Sequence, residues 1–134
     1  MGYKMRIIKF RGMSIGGFWS YGLPCIITKG RDIGSYISNS CGVPMAFNIR
    51  PETLTQFTGL YDKNGKEVFE GDIVKYYQPY GKTWHCHIVK WDKEWASFGL
   101  FELNNDWCKE SDWVKIQDIE IIGNIYQNPE LLKD

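Results

Sequence analysis

Short apolar runs, mostly alternating with polar residues and each closed by Gly, Pro, Asn or Asp, make up most of this chain. Such punctuation predicts strands rather than helices, and no stripe at i, i+3, i+4 survives it. The clearest stretch is 56–77. Asn64-Gly65 stands between Leu60-Tyr61 and Val68-Phe69, and predicts a two-residue type I′ hairpin because both residues tolerate positive φ. Glu70-Gly71-Asp72 then predicts a second tight turn, with Asp72 fixing it through nearby backbone N–H groups. It leads into Ile73, Val74, Tyr76 and Tyr77, a branched and aromatic run that reads as a buried strand.

The flanking segments follow the same logic. Residues 4–11 alternate basic and apolar with one slip at Ile7-Ile8. A β-bulge there would keep Lys4, Arg6, Lys9 and Arg11 on the solvent side of an edge strand guarded by charge. Further on, Gly16-Gly17 precedes the apolar patch Phe18, Trp19, Tyr21; short strands are predicted at 25–28 and 34–40, and an extended linker or single helical turn at 50–53 with Pro51 first. Beyond a turn at 78–82, residues 84–91 and 97–103 predict two strands joined by a turn at 92–94. Polar loops at 104–106 and 109–112 flank Trp107 and Trp113. A last strand is predicted over 116–126, interrupted at Gly123, and a short helical start follows with Asn128 as N-cap, Pro129 at its first position, and Leu131 and Leu132 docking inward.

Composition supports a mainly β chain: fifteen Ile and twenty-one aromatic residues stand against two Ala. At 134 residues the chain has the length of one ordinary domain, or of two very small ones. No apolar run is long enough to span a membrane, and the N-terminus has neither a secretory h-region nor a myristoylation signal. A cytoplasmic protein without a membrane partner is therefore expected. The zero net charge conceals an asymmetry: residues 1–50 carry seven Lys/Arg against Asp32, whereas 51–134 carry nine against fifteen acids. Either the two parts compensate each other, or the first offers a basic surface to a polyanion. Cys25, Cys41, Cys86 and Cys108 show no C-x-x-C spacing and are expected as reduced, mostly buried thiols.

Four groups of phrases carry a family resemblance. The first is Arg6-Ile7-Ile8-Lys9-Phe10-Arg11. The second is Phe57-Thr58-Gly59-Leu60, followed by Asp62-Lys63-Asn64-Gly65-Lys66-Glu67 and Glu70-Gly71-Asp72-Ile73-Val74. The third is Val89-Lys90-Trp91-Asp92, and the last runs from Ile122-Gly123-Asn124 through Gln127-Asn128-Pro129 to Leu132. In this order they resemble the YopX family of phage and prophage proteins. The resemblance implies a mainly β fold with an SH3-like small barrel in the C-terminal part. On that basis residues 1–55 are expected as a β segment or subdomain packed on the barrel, and 56–134 as the barrel with a short C-terminal helical turn. It implies no defined activity.

Little in the residues suggests catalysis. His85 and His87 share one face of a strand, as two metal-ligating imidazoles can, but no third ligand stands at a characteristic spacing. Residues 59–66 miss the phosphate-loop spacing by one residue, and Glu67 replaces the Ser/Thr that loop needs. Asp62-Lys63-Asn64-Gly65 lacks the later ligands of a calcium loop. The expectation is a protein that is not an enzyme and holds no cofactor or metal. The aromatic residues between Tyr76 and Trp113 can serve as core, as a protein-binding face, or as a stacking platform for nucleic acid. The reading adopted is a binding module for a host or phage protein, with self-association also expected. Its candidate contacts are Trp84, Trp91, Trp95, Lys90 and Lys93, with Arg6 and Arg11 for the alternative nucleic-acid reading.

Overall fold

The computed structural model describes residues 5–38, 45–78, 82–102, 105–109 and 118–132. Eleven strands run through them: β1 (Phe10–Met13), β2 (Trp19–Ile27), β3 (Gly34–Ser38), β4 (Ala46–Ile49), β5 (Thr55–Tyr61), β6 (Glu67–Phe69), β7 (Asp72–Gln78), β8 (Thr83–Asp92), β9 (Ser97–Glu102), β10 (Asn105–Lys109) and β11 (Glu120–Asn124). Short 3₁₀ turns cover Pro51–Thr53 and Pro129–Leu132, and no α-helix occurs among the described residues. The strands form two antiparallel sheets, in the orders β4-β3-β2-β1-β5-β6 and β10-β9-β8-β7-β11. Neither sheet closes on itself among the described residues. The chain divides into two units, Met1–Phe57 and Thr58–Asp134, and passes from one to the other within β5.

In the first unit β1 is an interior strand. Arg11 pairs with Tyr21 of β2 on one side and with Thr55 of β5 on the other. The expected edge strand with Arg11 facing solvent is thus corrected: regular pairing begins at Phe10, and Arg11 is only 6% exposed. Its guanidinium lies 4.3 Å from the centre of the Trp19 ring, and Nε donates to Thr55 Oγ1 at 3.3 Å. Stacking and hydrogen bonding together accommodate a charge that burial alone would penalise. The alternation of Met5, Ile7 and Ile8 leads to no strand and leaves all three exposed. Cys25, expected inside, is exposed as well. The single turn with Pro51 first is present as expected, and Thr53 ties it down: its hydroxyl accepts from Met13 N at 2.8 Å and donates to Arg50 O at 2.6 Å. Arg50 N reaches Met13 O at 2.8 Å, so the ends of β1 and β4 meet.

In the second unit the core is Val68, Val74, Tyr76, Val89, Leu100 and Ile119, with Ile121 packed against it. The β5–β6 turn differs from the two-residue form predicted. Among 63–65 only Gly65 has positive φ, at 79°. Asp62 N donates to Lys66 O and Gly65 N to Asp62 O, which is the three-residue loop closed by a left-handed glycine. The reason is Asp62. One carboxylate oxygen accepts from the amides of Asn64 and Lys66, both at 2.9 Å, and the other from Ile121 N of β11 at 3.1 Å. Asp72 does what the sequence suggested: buried at the next turn, it accepts from Phe69 N at 2.8 Å.

The C-terminal strand is shorter than predicted. It slips register between Ile121 and Gly123 against β7, a bulge at the residue where the apolar pattern broke. A side chain at Gly123 would collide with Asn128, whose Oδ1 accepts from Asn124 N at 3.2 Å. Asn128 therefore reaches back to the strand as well as standing before the 3₁₀ turn. Asn124 accepts from the amides of Tyr126 and Gln127 through its own Oδ1. Leu131 and Leu132 are half-buried. Where a polar loop was expected at 104–106, β10 pairs with β9. The turn at 79–81, the loop at 110–112, Cys41 and Trp113 lie outside the described residues.

Replacing Asp62 by Ala leaves three backbone donors without their acceptor and should cost about 3 kcal/mol, read as a lower urea midpoint with unchanged slope. Lys66→Ala in the same turn, where the side chain is exposed, should stay within about 0.5 kcal/mol.

Candidate functional site

Strand β8 positions most of the candidate residues, and its register with β7 and β9 is regular throughout. Side chains along it alternate between faces, so Trp84 and Trp91, seven residues apart, emerge on opposite sides and about 23 Å from each other. Among the described residues of the second unit, the exposed tryptophans do not form one surface. They form two corners.

The first corner surrounds Trp84, which is 56% exposed. Tyr77 pairs with Trp84 across β7 and β8, and their rings meet edge to face at 5.4 Å. Lys75 is the diagonal neighbour on the same face. Its ammonium stands 4.8 Å from the centre of the Trp84 ring, and that of Lys63 stands at 6.0 Å. Glu120 of β11 lies directly opposite Lys75, and its Oε2 takes both cations, Lys63 at 3.4 Å and Lys75 at 3.5 Å. Lys63 arrives there because its own N–H bonds Ile119 O, the residue before Glu120. Desolvation acts to raise the pKa of the Glu120 carboxyl. The charges of Lys63 and Lys75 and their hydrogen bonds together outweigh it and hold the carboxyl below its ordinary value.

The second corner is the β8–β9 hairpin. Trp91 pairs with Phe98 and contacts it edge to face at 5.1 Å. Trp91 is 49% exposed and Trp95, in the turn 93–96, is 75% exposed. Asp92 Oδ1 accepts from Glu94 N at 3.0 Å and shapes that turn. Lys93 is exposed on it. Lys90 points to the opposite face from Trp91, with its ammonium 5.8 Å from the centre of the Phe101 ring.

The histidines belong to neither corner. His85 and His87 both stack against the Tyr76 ring, with ring centres 5.7 and 5.3 Å away, and His87 is buried. Among the described residues no three His, Cys, Asp or Glu side chains gather where they could hold a metal ion. Of the N-terminal cations, Arg6 is exposed in the segment before β1 while Arg11 is buried, so the two do not share a strand face. Lys63, Lys75 and Glu120 escaped the sequence reading, because only the pairing register brings them to Trp84.

The comparisons with known proteins come to a family and a fold relative. Protein EF1440 from Enterococcus faecalis, known from its crystal structure, is 28% identical with a TM-score of 0.59, over 96% of this chain and 100% of that one. A comparison with curated proteins gives no match. The family described as YopX protein matches residues 24–133. That span includes 24–48, where the sequence showed no familiar phrase, and leaves out the N-terminal phrase at 6–11. With most of its length matched, and with the central and terminal phrases inside the match, the chain belongs to the YopX family.

Proposed function

We propose that this protein is a phage- or prophage-encoded, cytoplasmic binding module that acts by contact with a host or phage protein and not by catalysis. In this reading the second unit works as a small SH3-like barrel scaffold, and the β8–β9 hairpin is the contact. The observation that carries it is the exposure of Trp91 and Trp95 on one hairpin. Large rings with two side-chain torsions give apolar contact area at a low entropic cost, and tryptophan is enriched where interfaces concentrate their affinity. The adjoining Asp92 and Glu94 favour a protein over a polyanion at this corner. Self-association through the same hairpin belongs to this reading. No helix among the described residues is long and apolar enough to cross a membrane.

The test is affinity capture with the full chain and with Trp91→Ala and Trp95→Ala, followed by titration of the captured protein. Each substitution should weaken binding at least about tenfold, and affinity should change little between low and physiological salt. A captured partner that binds both variants as tightly as the parent, or one released steeply by salt, would overturn the hairpin as the contact.

A further inference from the structure

The Trp84 corner lies on the other face of β8 and has a different character from the hairpin. Trp84 keeps more than half of its surface open although two lysines stand within 6.0 Å of its ring. Both ammonium groups are held in place by one carboxylate, so the corner carries two positive charges to one negative. Tyr77, also exposed, extends the aromatic surface along the next strand. A ring more than half open, with two cations held over it by one carboxylate, matches a planar, electron-rich group joined to an anion. A base with its flanking phosphates has that form: the base stacks on the open part of the indole while the ammonium groups meet the phosphates.

We infer that the Trp84–Tyr77–Lys75–Lys63 corner is a binding site for single-stranded nucleic acid. The site is independent of the hairpin proposed as the protein contact. Glu120 has two opposed effects here. It orients Lys63 and Lys75 beside the ring, and its own charge repels a phosphate brought to them. Removing that charge while keeping the shape should therefore strengthen binding. An ion-pair cluster that serves stability alone gives no such gain.

The experiment titrates a fluorescein-labelled twelve-residue oligothymidylate with the full chain at low salt, watching anisotropy. Binding by the parent is expected, with a salt slope of about −1.4 for two phosphate contacts on a single strand. Trp84→Ala should weaken it about tenfold and Trp84→Phe should retain most of it, since the ring is what the base stacks on. Lys75→Ala should weaken it and reduce the slope by about 0.7, and Glu120→Gln should tighten it severalfold. Circular dichroism of each variant confirms that the sheet is intact, as expected for side chains at the surface. Absence of binding by the parent overturns the inference. So does affinity unchanged by Trp84→Ala, weakening by Glu120→Gln, or dependence on Trp91 and Trp95 instead. Competition by free thymidine monophosphate at the same concentration as the oligonucleotide overturns the assignment to a strand.

Discussion

The Asp62 carboxylate fixes the second unit. It is 5% exposed and accepts three backbone N–H groups, two from its own turn and one from Ile121, fifty-nine residues further on. A buried carboxylate that lost these donors would be strongly unfavourable, so the turn shape and the docking of β11 are determined together. The consequence reaches the surface. With the turn held, Lys63 N–H bonds Ile119 O, which sets the Lys63 side chain beside Glu120 and brings a second ammonium group to Trp84. A turn residue with no chemistry of its own thereby arranges the charges of a surface corner.

The same economy runs through the phrases that carry the family resemblance. Asp72 closes the β6–β7 turn. Gly71 donates to Val89 O and accepts from Ile125 N, linking the turn to β8 and to the residue after β11. Asn124 satisfies two amides of the following turn, and Gly123 leaves room for Asn128 to bond back. These are backbone locks. A match to the family accordingly identifies a fold, while Trp84, Tyr77 and Trp95, which project from it, lie outside those phrases. Function in such a protein is decided by what the scaffold displays.

How much was legible in the sequence follows from where the information resides. Strands bounded by strong punctuation were readable: β3, β7, β8 and β9 lie where alternation and turn residues placed them, and the role of Asp72 followed from its position after Gly71. The form of the β5–β6 turn was not readable, because Asn-Gly favours the two-residue hairpin locally and the bond to Ile121 that selects the other form is non-local. Arg11 was misplaced for a related reason. A basic residue in an alternating run reads as solvent-facing unless a partner is known, and its partners Trp19 and Thr55 come from two other strands. The candidate site was half legible. Its tryptophans could be named in advance, but their division between two faces needed the unbroken register of β8, and the lysines at Trp84 needed the pairing of β7 with β11.

Native-state hydrogen exchange tests the role of Asp62 most directly. Turn amides normally exchange through small local openings, whereas amides that open only with the whole unit share its free energy. If one carboxylate binds the hairpin and β11 into a single element, the amides of Asn64 and Lys66 should exchange with the same opening free energy as Ile121, close to that of the β7–β8 pair. Fast exchange at Asn64 and Lys66 beside a protected Ile121 would contradict the account.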